Sequence, residues 1–227
     1  MTFGCLPVKS PRNAKDRLRH FFSPEQREAL ARAMFEDVLV EALKVKGLDR
    51  LVVVTNDAQA LIVAAAAGAV VLLESEQRSH SASADWAAQE CIRRGARSLM
   101  LIPMDVPLVR AAEMEALLAA SREIPAPSLV IVPSEDGTGT NAMVRTPPDV
   151  IGSHFGSGSL QVHLSLAKAK GATVRVMREE GLTLDIDEPA DVSLFLARNP
   201  RGRAAELLRD FRQQAGPSGQ DSLHAGR

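Results

Sequence analysis

Apolar and polar positions come in alternating blocks along the chain. Arg50–Thr55 (RLVVVT), Ala69–Glu74 (AVVLLE), Ser98–Pro103 (SLMLIP) and Ser128–Pro133 (SLVIVP) are continuous apolar runs, most of them rich in β-branched residues. That is the pattern of strands buried on both faces. Between them lie helical segments, Ala58–Gly68 (AQALIVAAAAG), Ala84–Gly95 (ADWAAQECIRRG) and Arg110–Glu123 (RAAEMEALLAASRE). Thr2–Val8 (TFGCLPV) predicts a further short strand, followed by a polar loop. Ser23 then opens a helix as N-cap, with Pro24 at the first helical position and Gln26 at the capping-box position. Leu30, Met34 and Val38 recur at every fourth residue and give this helix a buried stripe, and Gly47 is its terminator.

Strands separated by helices predict βαβ units, right-handed crossovers and a mostly parallel sheet with helices on both faces, an α/β fold. The rhythm breaks after Pro133. Asn141–Thr146 (NAMVRT) predicts a strand reached without a helix. Ser159–Gly171 (SLQVHLSLAKAKG) predicts a helix, Thr173–Arg178 (TVRVMR) a strand, and Leu182–Pro189 (LTLDIDEP) another strand running into the helix 189–198. Residues 1–198 are expected to form a single domain. Residues 199–227 are expected to be a C-terminal extension with one short helical piece, 204–211, and poor order from Gly216 onward.

Composition narrows the function classes. The chain has 227 residues, a formal net charge of −1 and 24% charged residues, so no global field favours nucleic acid or an anionic membrane. Aromatics make up 4%, too few for a base-stacking platform. No apolar run reaches transmembrane length, and no secretory signal is visible, so a cytoplasmic protein is expected. Cys5 and Cys91 have no metal-ligand spacing and read as buried hydrophobes in a reducing compartment.

Ligands of open α/β sheets bind beyond the carboxyl ends of the strands, and polar clusters fall at such ends here. In PVKSPRNAKDRL, Lys9, Arg12, Lys15 and Arg17 crowd the loop after the first strand, suiting either a polyphosphate or a merely solvated loop. In IPMDVP, Asp105 follows an apolar strand and could face hydrated Mg²⁺ or cap the next helix, which is expected to start near Arg110. In LDIDEPAD, Asp185 and Asp187 would share one face of a strand, and either Asp187 or Glu188 could cap the following helix. Asp105, Asp185 and Asp187 together would make a three-carboxylate site for one or two divalent ions. Finally, the loops DGTGTN and HFGSGS offer backbone N–H groups and hydroxyls, with Ser157 or Ser159 as the expected N-cap of a helix that could hold a small anion. His154 and His163 flank the second loop and read as packing or surface residues.

Taken together, PVKSPRNAKDRL, SPEQREALARAMFEDVL, PMDVPL, DGTGTNAM, FGSGSLQVH and LDIDEPAD resemble one family, the guanylyltransferases of deazaflavin coenzyme F-420 biosynthesis. The resemblance covers roughly Pro7 to Arg198. It implies a Rossmann-like nucleotidyltransferase (GT-A-like) fold and transfer of GMP from GTP to a small phosphorylated carboxylic acid: 2-phospho-L-lactate, phosphoenolpyruvate or 3-phospho-D-glycerate. It implies that Asp105, Asp185 and Asp187 carry Mg²⁺, and that Thr140, Gly156 and Ser159 contact the acceptor. On this reading Lys9, Arg12, Lys15 and Arg17 meet the nucleotide, with Lys9, Lys15 and Asp105 closest to the chemistry. The chain departs from the family at SEQRSHSASADWAAQ, where a glycine–leucine–asparagine segment usually opens the helix after the third strand, a region expected to line the nucleotide pocket. That departure leaves open a nucleotidyltransferase using CTP or UTP, and an inactive nucleotide-binding paralogue. A homodimer is compatible with the reading.

Overall fold

The computed structural model describes residues 1–11, 14–75 and 79–214. Arg12 and the tail from Gly216 onward, both the subject of expectations above, lie outside these residues. The strands are β1 (Thr2–Val8), β2 (Arg50–Thr55), β3 (Val70–Leu73), β4 (Ser98–Leu101), β5 (Ser128–Pro133), β6 (Thr140–Thr146) and β7 (Thr173–Val176). The helices are α1 (Pro24–Ala42), α2 (Ala58–Ala66), α3 (His80–Arg93), α4 (Ala111–Glu123), α5 (Ser159–Ala169), α6 (Glu180–Thr183), α7 (Pro189–Ala197) and α8 (Arg203–Gln214). The strands form one sheet in the order β3-β2-β1-β4-β6-β5-β7. Only β6 runs against its neighbours, pairing antiparallel with both β4 and β5.

Side chains alternate across each strand, so the apolar runs feed two cores. Leu51 and Val53 of β2 join α1, α2 and α4 on one face, while Val52 and Val54 join α3 and α5 on the other. A third cluster lies to the side. Leu30 and Met34 of α1 pack there with Phe195 of α7 and Ala204, Ala205, Leu208 and Phe211 of α8. The segment after residue 198 therefore contributes a helix to the packed body. No helix among the described residues is long and apolar enough to cross a membrane.

The α1 cap is built as the sequence predicts: Ser23 Oγ accepts from Gln26 N–H, and the Gln26 side chain accepts from Ser23 N–H. Two expectations are corrected. Residues 182–187 form no strand; α6 occupies the start, and the rest is extended chain with a single ladder-like bond, Ile186 N–H to Asp105 O at 3.1 Å. The alternation that suggested a strand is real, because Leu184 and Ile186 are drawn into the third cluster. The backbone groups go elsewhere: the Asn141 amide takes the carbonyls of Leu182 and Thr183 at 2.9 and 2.8 Å. Second, neither Ser157 nor Ser159 caps α5. The N-cap is Gly158, at φ 74°, a left-handed conformation that a serine would adopt only with strain.

Candidate active site

The antiparallel β6 decides what meets at the carboxyl edge of the sheet. Met143 pairs with Leu101, the last residue of β4, so the start of β6 projects beyond that edge. Thr140 and Asn141 therefore lie with the loops that follow β1 and β4, around a cleft of about 1030 Å³. Lys9, Lys15, Arg17, Thr140 and Gly156 line this cleft together with the three aspartates.

At one end the carboxylates of Asp105, Asp185 and Asp187 offer oxygens within 4.8 Å of one another. None of them is spent on a helix cap. Arg110 stands at the N-cap of α4, and at α7 the Asp191 carboxylate accepts from the N–H groups of Asp187 and Glu188. Lys15, at φ 55° and ψ 42°, turns its side chain into this group. Its ammonium lies 2.8 Å from Asp105 and 2.6 Å from Asp187. Burial works against the ammonium, but the two carboxylates more than offset it and hold Lys15 above the ordinary lysine value. Asp105 is likewise pushed up by burial and pulled further down by Lys15, ending below the usual carboxylate range. Asp185 has no cationic partner among the described residues. Burial and the neighbouring Asp105 raise it to about 6, against a 3.1 Å bond from the Asn141 amide. Arg17 sits at the exposed rim and pairs with Glu188 at 3.0 Å.

At the other end the cleft is lined by hydroxyls and glycines, alongside Glu135 and Asp136. The loop 134–139 is held by its own groups: Asp136 accepts from the Ser134 hydroxyl and from the N–H and hydroxyl of Thr138. These bonds pull Asp136 down to about 2. Thr138 is thus occupied, while Thr140, which also lines the cleft, has a hydrogen bond with His163 Nδ1 at 2.9 Å. Gly156, at φ 121°, has open space where a Cβ would stand. Ser159 is the first residue of α5, buried, and its Oγ has no hydrogen-bond partner among the described residues. Leu160 N–H donates to Thr138 O, joining the two loops.

Sequence reasoning did not identify His163, Asn141 and His80. His163 is fully buried, the packing alternative of the sequence reading, four positions from Ser159 on the same face of α5, a spacing legible in FGSGSLQVH. His80 lines the cleft edge-on to Phe155, and burial together with Lys9 lowers it to about 4. The departing segment 79–86 does reach the cleft through His80, and two of its side chains, Ser81 and Asp85, bond to the stretch that leads into the glycine loop. Ser81 Oγ accepts from Phe155 N–H at 2.9 Å, and Asp85 accepts from the N–H and hydroxyl of Ser153. Arg145 of β6, fully buried, donates to Ile151 O, Ser153 Oγ and Asp85 from the same region.

This sheet order, with carboxylates and lysines at its carboxyl edge and glycine-rich loops facing them, is the setting of a nucleotidyltransferase, the class to which the relatives named below belong. A protein from Desulfovibrio desulfuricans G20 assigned as a nucleotide-diphospho-sugar transferase shares the fold, with a TM-score of 0.77 at 18% identity over 93% of this chain and 97% of the other. Within that class, residues 3–224 match the family model described as guanylyl transferase CofC like, and the chain belongs to that family. It is 32% identical to a phosphoenolpyruvate guanylyltransferase of Sphaerobacter thermophilus, over 90% of this chain and 97% of the relative. It is 31% identical to a 2-phospho-L-lactate guanylyltransferase of Methanothermobacter thermautotrophicus, over 100% and 98%.

Proposed function

We propose that the protein transfers GMP from GTP to a small phosphorylated carboxylic acid, phosphoenolpyruvate first among the candidates, in the biosynthesis of coenzyme F-420. The observation that carries this reading is the two-part lining of the cleft: a carboxylate–lysine end faces hydroxyls and glycine backbone. A phosphorylated acid has two matching ends. Its carboxylate suits the neutral donors of Thr140, Gly156 and Ser159, and its phosphate suits the charged end.

The reaction is a displacement at phosphorus. An oxygen of the acceptor's phosphate attacks the α-phosphorus of GTP, the bond from that phosphorus to the β-bridging oxygen breaks, and pyrophosphate leaves. A phosphate dianion already carries the electron pair it needs, so no protein base is required. That agrees with His80, which lines the cleft, and His163, bonded to Thr140, both lowered to about 4 and hence neutral. Lys9 and Lys15 neutralise charge on the triphosphate, and Arg17 adds to the field at the rim.

The donor set at Asp105, Asp185 and Asp187 is all carboxylate oxygen, without His or Cys, which fits a hard divalent cation such as Mg²⁺. These three residues would hold it. Bound there, the ion supplies Lewis-acid stabilisation of phosphoryl oxygens. Asn141 orients the Asp185 carboxylate and ties down the chain that carries Asp187.

The test is a matrix of GTP, ATP, CTP and UTP against phosphoenolpyruvate, 2-phospho-L-lactate and 3-phospho-D-glycerate, read by pyrophosphate release. GTP is expected to turn over at least ~10-fold better than the others, a difference of about 1.4 kcal/mol. Equal or better turnover with a pyrimidine nucleotide would overturn the guanylyl reading.

A further inference from the structure

His163 is a fully buried side chain that makes one hydrogen bond to the start of β6 and one to the segment leading into α5. Its Nε2 lies 2.9 Å from the backbone nitrogen of His154, and its Nδ1 lies 2.9 Å from Thr140 Oγ1. A backbone N–H can only donate, so Nε2 holds the lone pair. A neutral imidazole then carries its one proton on Nδ1. Burial, with His154 and Arg145 nearby, lowers His163 to about 4, which keeps the ring neutral at pH 7. Nδ1–H therefore donates to Thr140 Oγ1, and the tautomer follows from the network.

The consequence falls on Thr140. Its hydroxyl has one proton and two lone pairs, and His163 engages a lone pair. The proton is left to donate, and Thr140 lines the cleft. A threonine free to rotate could present either a donor or an acceptor. This one is set as a donor, the polarity an anionic oxygen requires. The same ring holds His154 N–H, at the start of the loop that carries Gly156 and Ser159. We propose that His163 is a positioning residue for the acceptor: it orients the Thr140 hydroxyl as a donor toward the acceptor's carboxylate and ties the glycine loop to the same reference point. This rests on the reading that Thr140 and the glycine loop take the acceptor.

Two near-isosteric changes separate the arms. His163→Asn keeps an N–H near Nδ1 and loses the acceptor at Nε2; His163→Gln keeps an acceptor near Nε2 and loses the donor to Thr140. Each is made alone and in a Thr140→Ala background, with acceptor KM, kcat and calorimetric GTP affinity measured on the full chain. His163→Gln is expected to raise the acceptor KM by about 10-fold, with GTP affinity changed less than about 2-fold. In the Thr140→Ala background the same change should add less than about 2-fold, because its target is gone. His163→Asn should stay within about 3-fold of wild type on Thr140-dependent binding. Full additivity of His163→Gln with Thr140→Ala, or equal loss of GTP and acceptor affinity, would overturn the positioning role. If Thr140→Ala itself leaves the acceptor KM unchanged, the acceptor reading fails instead. Should the variants not fold, nitrogen-15 NMR of the wild type decides. One of the five histidines is expected to be locked as the Nδ1–H tautomer at pH 7, and an Nε2–H or doubly protonated His163 would refute the proposal.

Discussion

The two ends of the cleft solve the problem of holding a small anionic substrate in opposite ways. The Asp105–Asp185–Asp187 end is made of full charges that hold one another, with Lys15 clamped between Asp105 and Asp187. Thr140, Gly156 and Ser159 are themselves uncharged. Their end works through backbone geometry and hydroxyl orientation, set by His163 and by bonds internal to each loop. A charged end gives strength with little geometric discrimination, since Coulomb attraction falls slowly with distance. A neutral end gives discrimination, since a hydrogen bond fails when its donor is turned. The division predicts that turnover depends most on the first and acceptor choice on the second.

The largest test breaks the charged end. Asp187→Asn is expected to lower kcat/KM by more than about 100-fold in Mg²⁺-dependent pyrophosphate release. The fold should persist, with a loss of about 1.5–3 kcal/mol in denaturant unfolding, because Lys15 keeps Asp105 as a partner. Full turnover in this variant would return Asp187 to a purely structural role.

A smaller effect belongs to the neutral end. Ser159→Ala removes the buried hydroxyl that has no partner among the described residues, and should raise the acceptor KM by about 10- to 100-fold. Thr140→Ala should be milder, since its backbone N–H remains. GTP affinity, titrated by calorimetry without acceptor, should change little in either. Loss of GTP binding with the acceptor KM unchanged would assign these loops to the nucleotide.

The smallest effect sharpens the contrast through pH. Asp185 is raised to about 6 from an ordinary value near ~4. The folded state therefore binds its proton more tightly, and this residue's contribution to stability is lost as pH rises from about 4 to 6. His163 is lowered to about 4 from about 6.5, so its contribution runs the other way: it is present above about 6.5 and lost as pH falls toward 4. Unfolding curves between pH 4 and 7 should show Asp185→Asn losing stability more steeply on acidification than wild type, and His163→Gln less steeply. Identical slopes in both variants would mean that neither group titrates as its surroundings dictate.

Much of this was legible from the chain. The buried parallel strands declared themselves because both faces are apolar, and the three aspartates because carboxylates rarely follow such runs without a task. The α8 stripe of Ala204, Leu208 and Phe211 was also visible, at helical spacing. What escaped was set by contacts distant in sequence. Leu182–Asp187 alternates like a strand, yet Asn141, far upstream, takes the carbonyls a neighbouring strand would need. The α5 cap passed from serine to Gly158 because the turn there is left-handed. His163 looked like any helical histidine until Thr140 and His154 were brought to its two nitrogens.

The guanidinium of Arg145 has a bearing on protein engineering. It sits inside the protein body and reaches Asp85 of α3, the carbonyl of Ile151 and the hydroxyl of Ser153 at once. The glycine loop is consequently not a cassette. A chimera that exchanged residues 153–159 alone would inherit a new loop on an old foundation, with Ser81 and Asp85 still shaped for the original. The exchangeable unit comprises the first turns of α3, Arg145 and the loop together, and libraries that seek a new acceptor should randomise across all three.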